Sequence, residues 1–295
     1  MNRKELGKTG IELPEIGLGT WGYRGGVEPL KRGLALGACL IDTAEAYGTE
    51  EIVGQVVSDI RDRVFIATKA SPLHFKRSDL LQAANRSLQR LKTDYIDLYQ
   101  LHWPNYVVPI EETMAAMEEL VDMGKVRFIG VSNFSVADLK KAQAALTKYK
   151  IVSNQVRYSL VDRSIEVEIL PYCQKNRITV IAYSPLARGL HHIRENDPTG
   201  MLARVAALTG KTEAQVALNW CISKEALIAI PKADSIEHTV ENCSASGWRL
   251  SAESVMLIQE DIRFQRRGRL EAAMRRCALR LLQSLGHRPA AIRVY

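Results

Sequence analysis

Eight short apolar runs, each followed by a stretch with helical periodicity, constrain this chain more than any other feature. They cover residues 15–19, 39–42, 64–69, 96–102, 128–131, 151–156, 179–183 and 226–230. Strands that alternate with helices pair in parallel, because a parallel neighbour needs a crossover connection. The number eight favours closure into a (β/α)8 (TIM) barrel, an α/β fold whose βα loops carry the active site at the C-terminal ends of the strands. The chain of 295 residues is the right size for one such barrel. Residues 3–10 and 11–16 read as a β-hairpin turning at Thr9-Gly10, placed before the first barrel strand. Helices are expected near 29–36, 50–60, 110–123, 166–176, 201–208, 213–223 and 236–244, with two more opened by Ser78 and Ser135 as N-caps. No linker or low-complexity segment divides residues 1–262, and residues 263–295 form an extension.

Three of the runs end in reactive groups. The second ends in Asp42, with Tyr47 five residues on; the third ends in Lys69; the fourth ends in His102. Carboxylate, phenol, ammonium and imidazole from strand ends are what carbonyl reduction requires. A hydride reaches carbon while a phenol delivers a proton to oxygen. A nearby ammonium favours phenolate and so lowers the phenol pKa from its ordinary value of about 10. A carboxylate keeps the buried ammonium charged, and an imidazole orients the substrate oxygen. Taken singly, each residue has a plainer reading: Asp42 as a cap, Tyr47 as packing, Lys69 as a surface charge, His102 as a satisfied core histidine. Four together, on three successive strands, favour chemistry.

A competing motif lies near the start. Residues 17–22 match G-x-G-x-x-G, with Asp42 some way downstream, as in a dinucleotide-binding strand–helix turn. Here Gly22 is followed by Tyr23, Arg24, Gly25 and Gly26, which is loop chemistry rather than the opening of a helix. A flexible barrel loop is the expectation.

The segments IDTAEAYGTEEIVG, IATK, YIDLYQLHWP, IGVSNF, NQVRYSL, VIAYSPLARG and AIPKADSIEHTVEN, in that order, resemble the aldo-keto reductase family over about residues 3–260. The resemblance implies a (β/α)8 barrel that binds NADP(H), with tolerance of NADH, and reduces aldehydes and activated ketones. It places the family's tetrad on Asp42, Tyr47, Lys69 and His102, with Tyr47 as general acid. It assigns Ser132, Asn133 and Gln155 to the nicotinamide carboxamide and Tyr183 to stacking on its ring. Ser184, Leu186 and Gly189 fall on the pyrophosphate loop. Lys232, Ser235, His238, Glu241 and Asn242 fall on the segment that holds the adenosine end, with Lys232 at the 2′-phosphate. Two departures stand out: Ala233 replaces a frequent Ser, and His238 stands where an Arg is frequent. Losing a planar fork is not neutral, so a narrower margin of NADPH over NADH is expected. Trp21, Tyr23 and Trp103 are candidate apolar walls of the substrate pocket, while Arg188, His191 and His192 would favour a carboxylate. The alternative is a cofactor-binding regulatory or redox-sensing subunit with little turnover.

The net charge of +7 is uneven. From Arg263 onward there are nine Arg and one Glu, a net +8, which leaves the first 262 residues near neutrality at −1. Leu270, Met274, Cys277, Ala278, Leu281 and Leu285 share one helical face of this tail. A helix packed on the barrel or on a partner subunit is the expectation, and nucleic acid is not an expected partner. No apolar run approaches the ~18 residues of a membrane span. Five scattered cysteines without C-x-x-C spacing predict neither disulfides nor a metal site, and a cytoplasmic setting. A small carbonyl compound is the expected partner, and the chain a monomer or small homo-oligomer.

Overall fold

The computed structural model describes residues 1–264 and, beyond them, Ala278, Leu281 and Ser284. An antiparallel hairpin of β1 (Arg3–Glu5) and β2 (Glu12–Pro14) comes first. Eight strands follow: β3 (Leu18–Gly19), β4 (Leu40–Asp42), β5 (Phe65–Ala70), β6 (Ile96–Leu101), β7 (Val126–Ser132), β8 (Ile151–Arg157), β9 (Thr179–Tyr183) and β10 (Leu227–Ile230). Sequence neighbours are sheet neighbours, and every pair is parallel. The last strand returns to the first: Ile16 bridges Ala229, Gly17 N donates to Ala229 O at 2.8 Å, and Gly19 N donates to Pro231 O at 3.0 Å. The barrel is thereby closed, and the resemblance to G-x-G-x-x-G has a packing cause. A Cβ at Gly19 would stand 2.6 Å from Ile230 O, so the seam admits only glycine there.

Barrel strands are buried on both faces, which explains why they read as continuous apolar runs rather than alternating ones. Leu40, Ala67, Leu98, Ile181 and Ile228 form an inner cluster, and the hairpin contributes Leu6 and Leu13 to it. The outer layer packs under α1 (Glu28–Ala35), α2 (Glu50–Val57), α3 (Arg77–Leu91), α4 (Ile110–Asp122), α5 (Val136–Ala145), α6 (Ile169–Lys175), α7 (Leu190–Arg194), α8 (Met201–Thr209), α9 (Glu213–Ile222) and α10 (Ile236–Cys243). A further helix, α11 (Ala252–Asp261), lies on α8 and has no counterpart in the sequence reading.

Capping expectations divide. Ser135 opens α5 with a capping box completed by Asp138, as its spacing predicts. Ser78 does not open α3. The helix starts at Arg77, whose N–H donates to Glu112 Oε1 on α4 at 2.9 Å, so a tertiary partner replaces the local cap. The expected helix at 166–176 is split into a 3-10 turn (Ser164–Glu166) and α6. Most of the basic tail lies outside the described residues; Ala278, Leu281 and Ser284 are helical and exposed. Among the described residues no helix is long and apolar enough to cross a membrane.

Candidate active site

Asp42 ends β4 and is almost fully buried. Its Oδ1 accepts from Lys69 Nζ at 2.6 Å and its Oδ2 from Gln155 Nε2 at 2.6 Å. Lys69, on β5, has no exposed surface and donates a second bond to Thr43 O at 2.8 Å. Its nitrogen lies 4.8 Å from the centre of the Tyr47 ring. Tyr47 closes a 3-10 turn (Glu45–Tyr47) after β4, and its hydroxyl is 3.3 Å from His102 Nε2. The two rings meet edge to face, with centroids 5.4 Å apart. His102 follows β6, its N–H held by Ala70 O at 3.0 Å. The four residues singled out on three strands therefore meet in one place at the C-terminal end of the barrel.

Burial governs the electrostatics. It pushes the Tyr47 phenol well above its ordinary value, with the Asp42 carboxylate and then Tyr183 acting in the same direction. The net direction is therefore opposite to the acidic phenol expected from the sequence, although the Lys69 ammonium, 4.8 Å from the ring centre, still favours phenolate. Lys69 spends its hydrogen bonds on Asp42 Oδ1 and Thr43 O, with its charge beside the Tyr47 ring. Burial lowers the Lys69 pKa, opposed by Asp42. Burial, helped by the Lys69 charge, brings the His102 imidazole down to about 3, so it is neutral at physiological pH. The site thus holds a protonated phenol beside a neutral imidazole, above a buried ion pair.

The residues assigned to the cofactor fall in two groups. Asn133 follows β7 in the left-handed region (φ 64°). Its Nδ2 donates to His102 O at 3.1 Å and to Ser132 Oγ at 2.9 Å, while its Oδ1 accepts from the Tyr183 hydroxyl at 2.9 Å. Ser132 Oγ donates to Gln155 O at 2.9 Å. Gln155 itself is turned into the barrel toward Asp42, so it supports the ion pair. Leu186 packs against the outer core. Gly189 sits at φ 153°, a backbone conformation that L side chains rarely adopt, whereas the exposed His191 ring that a Cβ would meet can turn away. Ser184, Ala187 and Arg188 are held at positive φ without being glycine. At the far end, Ser235 caps α10 by accepting from His238 N at 3.2 Å. Lys232 is paired with Asp234, which also accepts from Arg24 N at 2.9 Å. Ala233 and Asn242 line a recess with Gly17, Gly19 and Pro231. Glu241 is half-buried beside it, and His238 is exposed.

The candidate pocket walls separate. Trp21 is 55% exposed, with the Arg188 guanidinium 5.1 Å from its ring centre. Trp103 is half-buried beside His102. Tyr23 is not an open wall: it is buried, its hydroxyl donates to Gly26 O at 2.7 Å, and burial followed by the Asp234 charge pushes its pKa up to about 12. Packing claims it. Two participants went unread. Gln100 Nε2 lies 3.4 Å from Asp42 Oδ2, and Glu45 bonds across to the loop after β5. A polar residue inside the apolar run IDLYQLH was the available signal for Gln100.

A family model described as "Aldo/keto reductase family" matches residues 15–262. The chain belongs to the aldo/keto reductase family. The reductase is 37% identical over 261 residues to "Methylglyoxal reductase YeaE" of Escherichia coli (strain K12), covering 85% of this chain and 91% of that protein. Among solved structures, a thermostable aldo-keto reductase in complex with the inhibitor epalrestat superposes with a TM-score of 0.82 at 42% identity, covering 88% of this chain and 99% of that one. An aldo/keto reductase from Klebsiella pneumoniae in complex with NADP and acetate has a TM-score of 0.82 at 38% identity, covering 91% of this chain and 98% of that one.

Proposed function

We propose that this reductase uses NADPH to reduce aldehydes and activated ketones, small dicarbonyls such as methylglyoxal included, with Tyr47 as the proton donor. One observation carries the reading: the Tyr47 hydroxyl faces His102 Nε2 at 3.3 Å while the Asp42–Lys69 pair lies against its ring. The relative named for methylglyoxal reduction supports the substrate class, and the NADP-bound neighbour supports the cofactor.

The residues present fit a nicotinamide dinucleotide. Ser132, Asn133 and Tyr183 would hold the nicotinamide end, residues 184–189 the pyrophosphate, and Lys232 with Asn242 and the glycine-lined recess the adenosine end. Bound there, the cofactor supplies a hydride to the carbonyl carbon. The chain's own groups manage the oxygen. The neutral His102 donates a hydrogen bond to it and sets its direction. As electrons move onto the oxygen, Tyr47 gives up its proton, because an alkoxide is far more basic than a phenol. The Lys69 charge beside the ring then stabilises the phenolate left behind. Asp42, held by Gln155, keeps Lys69 protonated and fixed although burial opposes its charge. A phenol with a raised pKa remains fully protonated at neutral pH, as a donor must. Loss of NADPH absorbance with a panel of activated aldehydes and diketones tests this. Absence of turnover, or full turnover by Tyr47→Phe, would refute it.

A further inference from the structure

The turn that carries Tyr47 has few restraints of its own. Its N-cap residue, Ala44, makes no side-chain cap, and it ends at Gly48 in the left-handed region (φ 69°). The threonine hydroxyls around it hold its flanks: Thr43 and Thr20 each lie within 2.9 Å of Thr49 Oγ1. Within the turn, Glu45 makes the crossing to the next barrel loop. Its side chain is only 7% exposed. Oε1 accepts from the backbone N–H of Ser71 and lies 3.0 Å from His74 Nδ1, with Oε2 at 3.2 Å from the same nitrogen. Ser71 follows directly on β5, the strand that delivers Lys69. Pro72 O in turn accepts from Asn105 Nδ2 at 2.8 Å, in the loop that follows His102. A single carboxylate therefore ties the loop bearing the phenol to the strand bearing the ammonium, and that loop is tied to the segment following the imidazole.

We infer that Glu45 is a positioning residue for Tyr47: through Ser71 and His74 it sets the spacing between the phenol and the Lys69–Asp42 pair. The inference rests on Tyr47 being the proton donor, as proposed above. Proton transfer depends steeply on such spacing, and a displacement of an ångström can cost about a hundredfold in rate. Binding of NADPH is expected not to depend on it, since none of the residues assigned to the cofactor lies on that turn or on the loop after β5.

Three variants test the inference in the full chain. Glu45→Ala removes the tie. Glu45→Gln keeps an oxygen for the Ser71 N–H. Ser71→Pro removes that N–H at a φ of −66°, which proline adopts without strain. Steady-state kcat and KM for methylglyoxal, the pH profile of kcat and NADPH affinity by fluorescence quenching are the readouts. Glu45→Ala is expected to lose roughly ten- to a hundredfold in kcat, with NADPH affinity unchanged and the basic limb of the pH profile displaced. Ser71→Pro is expected to lose kcat in the same direction, and Glu45→Gln to recover most of it. Full activity of Glu45→Ala beside an inactive Tyr47→Phe would overturn the inference alone. So would a parallel loss of NADPH affinity, or a Glu45→Gln variant as impaired as Glu45→Ala. An inactive wild type, or an active Tyr47→Phe, would remove the function reading and this inference with it.

Discussion

The two halves of the barrel mouth are built to different standards. On the side of β4, β5 and β6, the groups are tied by a web of direct bonds: buried ones from Asp42 to Lys69 and Gln155 at 2.6 Å, and partly buried ones from Glu45 to the loop after β5 and from Asn105 to Pro72 at 2.8 Å. On the side of β9 and β10, the groups lie nearer the surface. The Arg188 guanidinium lies 5.1 Å from the centre of the exposed Trp21 ring, and Lys232 pairs with Asp234 where both are substantially exposed. The backbone differs as well. Ser184, Ala187 and Arg188 sit at positive φ, a conformation that costs a non-glycine residue of order 1 kcal/mol or more. Under the proposed function, the difference amounts to a division of labour. Groups that move a proton must be placed before the substrate arrives. Groups that hold a large cofactor must let it enter and leave, so a loop able to change its backbone serves better than a locked one.

The largest expected effect bears on the locked side. Tyr47→Phe keeps the ring that packs on His102 and Lys69 but removes the proton. kcat is expected to fall by roughly 10²–10⁴-fold, with NADPH affinity by fluorescence titration unaltered. Equal losses in both would break the distinction between the halves. Asp42→Asn comes next. It strands a fully buried ammonium without its counter-charge, and breaking a buried pair from one side costs about 3–5 kcal/mol. Urea unfolding should register that loss, and a stability within error of wild type would mean that the ion pair is not the anchor described here.

On the open side the effects are smaller and confined to binding. Lys232→Ala should weaken NADPH by about tenfold, or roughly 1.4 kcal/mol, and leave NADH and kcat unchanged. Asp234→Asn should act in the opposite direction, because it frees Lys232 for the phosphate. A matched loss for both cofactors would place Lys232 outside the 2′-phosphate site. The last effect, absent at neutral pH, is on stability against pH. The folded His102 pKa of about 3 lies below its ordinary 6.5. Between those values the unfolded chain binds a proton that the folded one refuses, so stability is intact above about 6.5 and falls as pH drops toward 3, with a slope of at most about 1.4 kcal/mol per unit. His102→Gln should flatten that slope in denaturation measured across the window.

Legibility followed from how local each constraint is. Asp42, Lys69 and His102 could be read because strand ends in a parallel barrel point to one face, and apolar runs of this kind mark where strands end. The α5 cap at Ser135 could be read because both halves of its capping box lie within four residues. Ser78 misled because the Arg77 N–H that opens α3 is met by Glu112 from another helix. Tyr23 misled because an aromatic in a glycine-rich loop looks alike whether it faces a pocket or its own loop. The direction of the Tyr47 pKa also could not be read. It depends on how deeply the phenol is buried and on how near the Asp42 carboxylate lies, and neither quantity is local.

By itself, the sequence determined the barrel, the order of its strands and the identity of the groups at their ends, because hydrophobic runs and helix signals act over a few residues. Only the tertiary structure decided how those groups are wired: Gln155 onto Asp42, Glu45 onto Ser71, Lys69 onto Thr43 O as well as Asp42. Those pairings join residues far apart in the chain, and they are selected by the geometry and low water content of the closed barrel mouth.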